Sequence, residues 1–201
     1  MDDRIEAVLE AYHARMRAEE AGSPDAAPGD WRDGRLLAVG PDTGRLINIL
    51  ARSLDKPTIL ELGTSYGYSG IWLAEAARAT GGRVITMELQ DYKAAHAREM
   101  AEKAGLADHI EFRVGDAVKM IDEIEGGLDF VLVDLWKDLY VPCLEAFYPK
   151  LNPGAIIVAD NMIYASGEGT RQYAKAIRGK RDMTSVLLPV GSGIEVSRFK
   201  A

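Results

Sequence analysis

The 201-residue chain has a single cysteine, Cys143, so no intramolecular disulfide can form. Cys143 sits in "YVPCLEAFY", an apolar stretch of helical pattern, and reads as a buried packing thiol. No apolar run reaches the roughly 18 residues that a membrane span needs. "MDDRIEAVLEAYHARMRAEE" is charged throughout and holds no signal-peptide core. The expectation is a cytoplasmic protein with no membrane partner. Surplus positive charge is missing as well. The formal net charge is −7 and no basic run occurs, which argues against a nucleic-acid partner. Repeats and low-complexity segments are absent.

What is present is an ordinary globular balance, 47% hydrophobic and 27% charged, in the length of one domain. Residues 3–20 place Ile5, Val8, Leu9, Tyr12 and Met16 on one helical face. "AGSPDAAPGDWRDG", residues 21–34, reads as a Pro/Gly/Asp linker. The chain therefore divides into an N-terminal helix with its linker, 1–34, and a main domain, 35–201. An amphipathic helix on a linker must cover some surface, and a homodimer is one way to provide it.

Residues 42–54 form a second amphipathic helix. A regular alternation follows. Strand-like runs are "TILEL" (58–62), "RVITMEL" (83–89), "HIEFRV" (109–114), "LDFVLVDL" (128–135) and "GAIIVAD" (154–160). Helical patterns lie between them, at about 69–80, 91–105, 116–125 and 138–150. This predicts an α/β domain with a parallel sheet and helices on both faces. After a helix near 170–179, "TSVLLPV" and "GIEVSRF" flank "GSG", a hairpin signal. The sheet should close with an antiparallel pair.

In such sheets ligands bind at the carboxyl ends of the strands. Here five strand ends deliver five acids: Glu61, Glu88, Asp116, Asp134 and Asp160. Any one of them could simply cap a helix. The first strand runs into "ELGTSYGYSG", with Gly63, Gly67 and Gly70 in a G-x-x-x-G-x-x-G spacing. The dinucleotide fingerprint is G-x-G-x-x-G. Glu88, about 20 residues past the turn, suits a ribose hydroxyl pair, which NAD and S-adenosylmethionine share. A pyrophosphate wants an unencumbered helix N-terminus. This turn carries Thr64, Ser65, Tyr66 and Tyr68, and Glu61 just before it would repel phosphate. A carboxylate there suits an amino group and a sulfonium. No tyrosine has a lysine four residues later, as a short-chain dehydrogenase would need. An NAD(P)-dependent oxidoreductase stays the weaker alternative.

The segments "LLAVGPDTGRLINIL", "LELGTSYGYSGIWLA", "ITMEL", "GDA", "DFVLVDLWKDLY" and "GAIIVADNMI" span about residues 36–163. In them the chain resembles the class I S-adenosylmethionine-dependent O-methyltransferases of the catechol and caffeoyl-CoA type. "DLWKD" together with "ADN" is the specific pair. The resemblance implies a Rossmann-like methyltransferase fold with a seven-stranded sheet. It also implies methyl transfer to a hydroxyl of a small, catechol-like acceptor, assisted by Mg²⁺ or another divalent cation. It further implies cofactor contacts from Val39, Gly40, Glu61, Gly63, Ser69, Glu88, Asp116, Ala117 and Asp134, with Ser69 meeting the cofactor carboxylate. Asp134, Asp160 and Asn161 match the family's metal ligands, and Lys137 the lysine proposed as general base. Trp136 and Tyr164 fall where an acceptor would lie.

The chemistry has reasons of its own. Methyl transfer is a displacement at a carbon activated by its sulfonium, so the enzyme must position and ionise an oxygen. A phenol has a pKa of about 10, and a divalent cation lowers it by stabilising the oxyanion. Two carboxylates and an amide oxygen are hard donors suited to Mg²⁺. Other readings stay open at this point. Asp160 and Asn161 could be a capping pair, Lys137 a solvated residue, Trp136 core, and the enzyme metal-independent. The chain also departs from the animal catechol enzymes. Leu135 stands where they have histidine, and their late acidic residue has only Glu195 as a neighbouring candidate. "YASGEGTRQ" (164–172) is expected to form part of the acceptor pocket.

Overall fold

The computed structural model describes residues 2–21, 34–164 and 166–200. The helices are α1 (Asp3–Glu20), α2 (Pro41–Arg52), α3 (Tyr68–Thr80), α4 (Asp91–Ala104), α5 (Ala117–Asp122), α6 (Tyr140–Phe147) and α7 (Glu168–Gly179). The strands are β1 (Thr58–Leu62), β2 (Arg83–Glu88), β3 (Ile110–Val114), β4 (Leu128–Val133), β5 (Leu151–Ala159), β6 (Met183–Leu188) and β7 (Ile194–Phe199). They form one seven-stranded sheet in the order β3-β2-β1-β4-β5-β7-β6. The first five strands are parallel, and β7 runs antiparallel to both β5 and β6. The alternation of short apolar runs and helices leads to this architecture, and the "GSG" turn closes it.

Strand pleating divides the core. Ile59 of β1 and Phe130 and Leu132 of β4 face a cluster with α1, α2, α3 and α4. Leu60, Leu62, Val131 and Val133 face a second cluster with α5, α6 and α7. Both faces of the central strands are thus buried, which is why they read as continuous apolar runs. The chain builds outward from β1 to β3 on one side, then returns to place β4 and β5 on the other. The strand order reverses between β1 and β4, which opens a crevice at their carboxyl ends.

Three boundaries differ from the sequence expectation. β5 starts at Leu151, with a register shift against β4 between Leu128 and Phe130. The stretch 138–150 is not one helix. Short 3₁₀ turns at Lys137–Leu139 and Tyr148–Lys150 flank α6, and at its end Pro149 has no N–H to continue the α-helical ladder. α5 stops at Asp122, well before the expected end near 125.

The apolar stripe of α1 packs within its own chain. Ile5, Val8, Leu9 and Tyr12 are buried against α3 and α4. Of the expected linker, residues 22–33 lie outside the described residues. Among the described residues no helix is long and apolar enough to cross a membrane. Ile5 is fully buried, so Ile5→Ala should cost about 2–5 kcal/mol of unfolding free energy in a denaturant titration. A cost near zero would mean that α1 is not part of the core.

Candidate active site

The crevice begins where β1 meets the glycine turn. Gly63 has φ +99, and a Cβ there would collide with the backbone carbonyl of Asp134. Only glycine lets the turn pass so close to the end of β4. The N–H groups of Gly63 and Thr64 both donate to Met87 O, at 3.0 and 3.1 Å, tying the turn to β2. Gly67 lies against Ala97 of α4 and Gly70 against the Glu61 carboxylate. These two glycines therefore serve packing.

Glu61 is fully buried under that turn. Thr86 donates to Oε2 at 2.5 Å, while Oε1 has no hydrogen-bond partner. Burial lifts the carboxyl to about 7 from its ordinary 4.5, while the Ser69 and Thr86 hydroxyls pull it down. The charges of Asp134 and Glu88 add to the rise. A buried acceptor without a donor is costly, and a cationic or N–H-bearing ligand would relieve it. Ser69, in the first turn of α3, is buried beside this carboxylate.

Glu88 closes β2. Its carboxylate accepts from Ser65 N at 2.7 Å and Gln90 N at 3.1 Å. Ser65 is itself left-handed, φ +46, and its Oγ donates to Leu36 O at 3.2 Å. That bond brings the segment before α2 to the glycine turn. Val39 buries its side chain in the core, so only its backbone is on offer, and Gly40 follows with φ +83. Asp116 accepts from Val118 N at 3.0 Å and Lys119 N at 3.4 Å, so it caps α5. Ala117 beside it is buried.

Across the crevice, the ends of β4 and β5 bring Asp134, Lys137, Asp160 and Asn161 together. The Lys137 ammonium lies 3.5 Å from Asp134 Oδ1 and donates to Asn161 Oδ1. It also donates to Tyr140 OH at 3.0 Å and Leu135 O at 3.2 Å. The Tyr140 hydroxyl, fully buried, donates on to Asp160 O at 3.1 Å. Burial, and then the charge of Asp160, push the Asp134 carboxyl well up, against the pull of Lys137. Burial raises Asp160 too, opposed first by its hydrogen bond from Ser192.

Ser192 organises the pair. Its Oγ donates to Asp160 Oδ1 at 2.6 Å and accepts from both Asn161 N and Asn161 Nδ2 at 3.1 Å. With Nδ2 committed to Ser192, the amide presents Oδ1 to Lys137. Among the described residues there is no cluster of three His, Cys, Asp or Glu poised for a metal ion. The donor set here is instead two carboxylates completed by an amide oxygen. It holds a monovalent stand-in, the Lys137 ammonium, in contact with two of its three members. Hard oxygen donors around a cation suit Mg²⁺, so these residues fit a divalent ion.

Trp136 is 49% exposed, which excludes a core role, and Tyr164 is 69% exposed. Tyr164 is anchored by its backbone N–H to Ser192 O at 2.7 Å. Glu195 does not join them. It is fully buried and takes a two-pronged bond from Arg178, at 2.7 and 2.5 Å. In "YASGEGTRQ", Ala165 lies outside the described residues. The segment from Glu168 onward is the start of α7, with Gly169 pressed on the backbone of Lys137. Sequence reasoning missed Thr86, Tyr140 and Ser192. "GSG" signalled a turn, and nothing local told that its serine faces Asp160.

Glu61 yields a pH dependence. Its folded carboxyl holds a proton more tightly than the unfolded one, so its contribution to stability is lost as pH rises from about 4.5 to about 7. The loss is on the order of 3 kcal/mol. Thermal melts of the ligand-free protein should show Tm falling across that window, and Glu61→Gln should flatten the fall. An unchanged slope in Glu61→Gln would contradict the buried, unpaired state of this group.

The family profile described as O-methyltransferase matches residues 31–199. The catechol O-methyltransferase of Niastella koreensis is 35% identical over 131 residues, 63% of this chain and 59% of that protein. The chain thus spans less than two thirds of the length of that relative. The O-methyltransferase from Bacillus cereus, solved with S-adenosylhomocysteine, is 28% identical with a TM-score of 0.78, over 100% of this chain and 92% of that one. The O-methyltransferase TomG from Streptomyces achromogenes, solved with S-adenosylmethionine, is 26% identical with the same TM-score of 0.78, over 100% and 91%. The chain belongs to the O-methyltransferase family.

Proposed function

We propose that the protein is an S-adenosylmethionine-dependent O-methyltransferase acting on a hydroxyl of a small, catechol-like acceptor with divalent-metal assistance. One observation carries this reading. Asp134 and Asn161 share the Lys137 ammonium at the crevice edge, the charge of Asp160 acts on Asp134 from the next strand end, and Glu61 Oε1 is buried without a partner at the end of β1. The relatives named for catechol methylation, and the neighbours solved with the cofactor or its demethylated product, support it.

Bound in the crevice, S-adenosylmethionine would supply an electrophilic methyl carbon, and Mg²⁺ would acidify the acceptor hydroxyl. The remaining work falls to the chain. Val39, Gly40, Gly63 and Ser69 would hold the methionine portion, and Glu61 would offer its free oxygen to a positive group. Glu88 would take the ribose hydroxyls, with Asp116 and Ala117 beside the adenine. Asp134, Asp160 and Asn161 would hold the metal, and Asp134 would also border the cofactor. Lys137 would take the hydroxyl proton at Nζ, once its own proton has passed to solvent and its contact with Asn161 is released. Trp136 and Tyr164 would flank a flat acceptor, with Leu135 in place of the animal enzymes' histidine.

A metal-independent methyltransferase is the second reading, favoured by the Lys137 ammonium already spanning Asp134 and Asn161. Turnover of catechol, read as S-adenosylhomocysteine, separates the two. The proposal expects no turnover after chelation and recovery on adding Mg²⁺. Turnover that survives full metal removal establishes the second reading. Removing the ligand in Asp160→Ala should cost about 100-fold or more, and Ser192→Ala should raise the Mg²⁺ needed for half-maximal rate by about 10–100-fold.

A further inference from the structure

A clip on α1 grips the segment that leads into α2. The Arg15 guanidinium donates to Glu19 Oε1 at 3.0 Å and to Gly34 O at 2.8 Å. Both Glu19 oxygens accept from Leu36 N, at 3.1 and 3.2 Å. The Arg15–Glu19 pair is mostly covered, with side chains 31% and 17% exposed. The same helix reaches the glycine turn. Tyr12 OH donates to Tyr66 O at 2.5 Å, and the Arg15 guanidinium lies 4.2 Å from the centre of the Tyr66 ring.

The gripped segment is strained. Leu37, directly after Leu36, has φ +47, a left-handed backbone that costs a branched residue free energy. Its side chain is 50% exposed, so burial does not explain the conformation. Such strain persists only where the surroundings over-determine the backbone. Here they do. Leu36 N is held by Glu19, Leu36 O by Ser65, and Gly34 O by Arg15. Immediately beyond the bend come Val39 and Gly40, beside the tip of the β6–β7 hairpin, where Gly191 faces Val39 O.

We propose that the Arg15–Glu19 pair is a positioning device. It holds the strained Leu37 bend and thereby sets the Val39–Gly40 wall against the glycine turn, pre-forming the cofactor side of the crevice. The inference rests on the cofactor reading above. Neither residue is among those assigned above to hold cofactor or acceptor. Their effect passes through the backbone from Leu36 to Gly40. Pre-formed walls raise affinity by sparing the ordering cost on binding.

Titration calorimetry with S-adenosylhomocysteine tests it, alongside thermal melts. Glu19→Ala should weaken binding about tenfold, with Tm close to that of the wild type. Glu19→Gln keeps an acceptor for Leu36 N and should fall between the two. Val8→Ala, a core change on the same helix that leaves the clip intact, should lower Tm and leave the affinity unchanged. Wild-type affinity in Glu19→Ala overturns the proposal. So does a weakening in Val8→Ala that matches its loss of Tm, since affinity would then follow general stability. If the wild type fails to bind S-adenosylhomocysteine, the cofactor reading itself fails and takes the clip with it.

Discussion

The ammonium of Lys137 between Asp134 and Asn161 is the contact on which the crevice depends. Two carboxylates, Asp134 and Asp160, are carried to adjacent strand ends and largely buried there. Taking an ionised carboxylate out of water costs several kcal/mol, and two in proximity also repel. Among the described residues, the structure answers this with one cation, three neutral donors and acceptors, and a shift of both carboxyls toward the protonated form. Tyr140 and Ser192 lock the arrangement from opposite sides. It is the chemistry of a cation site held by the cation the chain itself can supply.

Topology makes this possible. Parallel strands put all their carboxyl ends on one edge, and the reversal of order between β1 and β4 opens that edge to a ligand. Glu61 and Glu88 then stand on one side, with Asp134, Asp160 and Asn161 on the other. Gly63 allows the two sides to approach, because a side chain there would strike the backbone of Asp134. α1 adds a third wall by gripping the Leu36–Gly40 segment. The antiparallel hairpin adds a fourth, since its tip delivers Ser192 to Asp160. Elements from both ends of the chain thus shape the central crevice.

Much of this was legible in the sequence. Apolar runs buried on both faces announced the parallel strands, and "GSG" announced the hairpin. The acids at the strand ends were visible because strand ends are easy to locate. "DLWKD" and "ADN" singled out Asp134, Lys137, Asp160 and Asn161 through the family resemblance, and these residues do lie at the neighbouring ends of β4 and β5. Less legible was anything decided by tertiary register. Glu195 stood near the right place in the chain, yet its strand turns it inward to Arg178. Ser192 looked like a turn residue because its partner lies 32 residues away. Asp116 illustrates a third case, where a strand-end acid does cap a helix, as many do. The boundary of α6 moved for a local reason, the missing N–H of Pro149.

We propose that the position held by the Lys137 ammonium takes a divalent cation. A crystal structure grown with Mn²⁺ and S-adenosylhomocysteine tests it most directly, by anomalous scattering from the manganese. One strong peak is expected within coordination distance of Asp134, Asp160 and Asn161, with Lys137 Nζ withdrawn from Asn161 Oδ1. No peak there, with the ammonium still spanning Asp134 and Asn161, would contradict it.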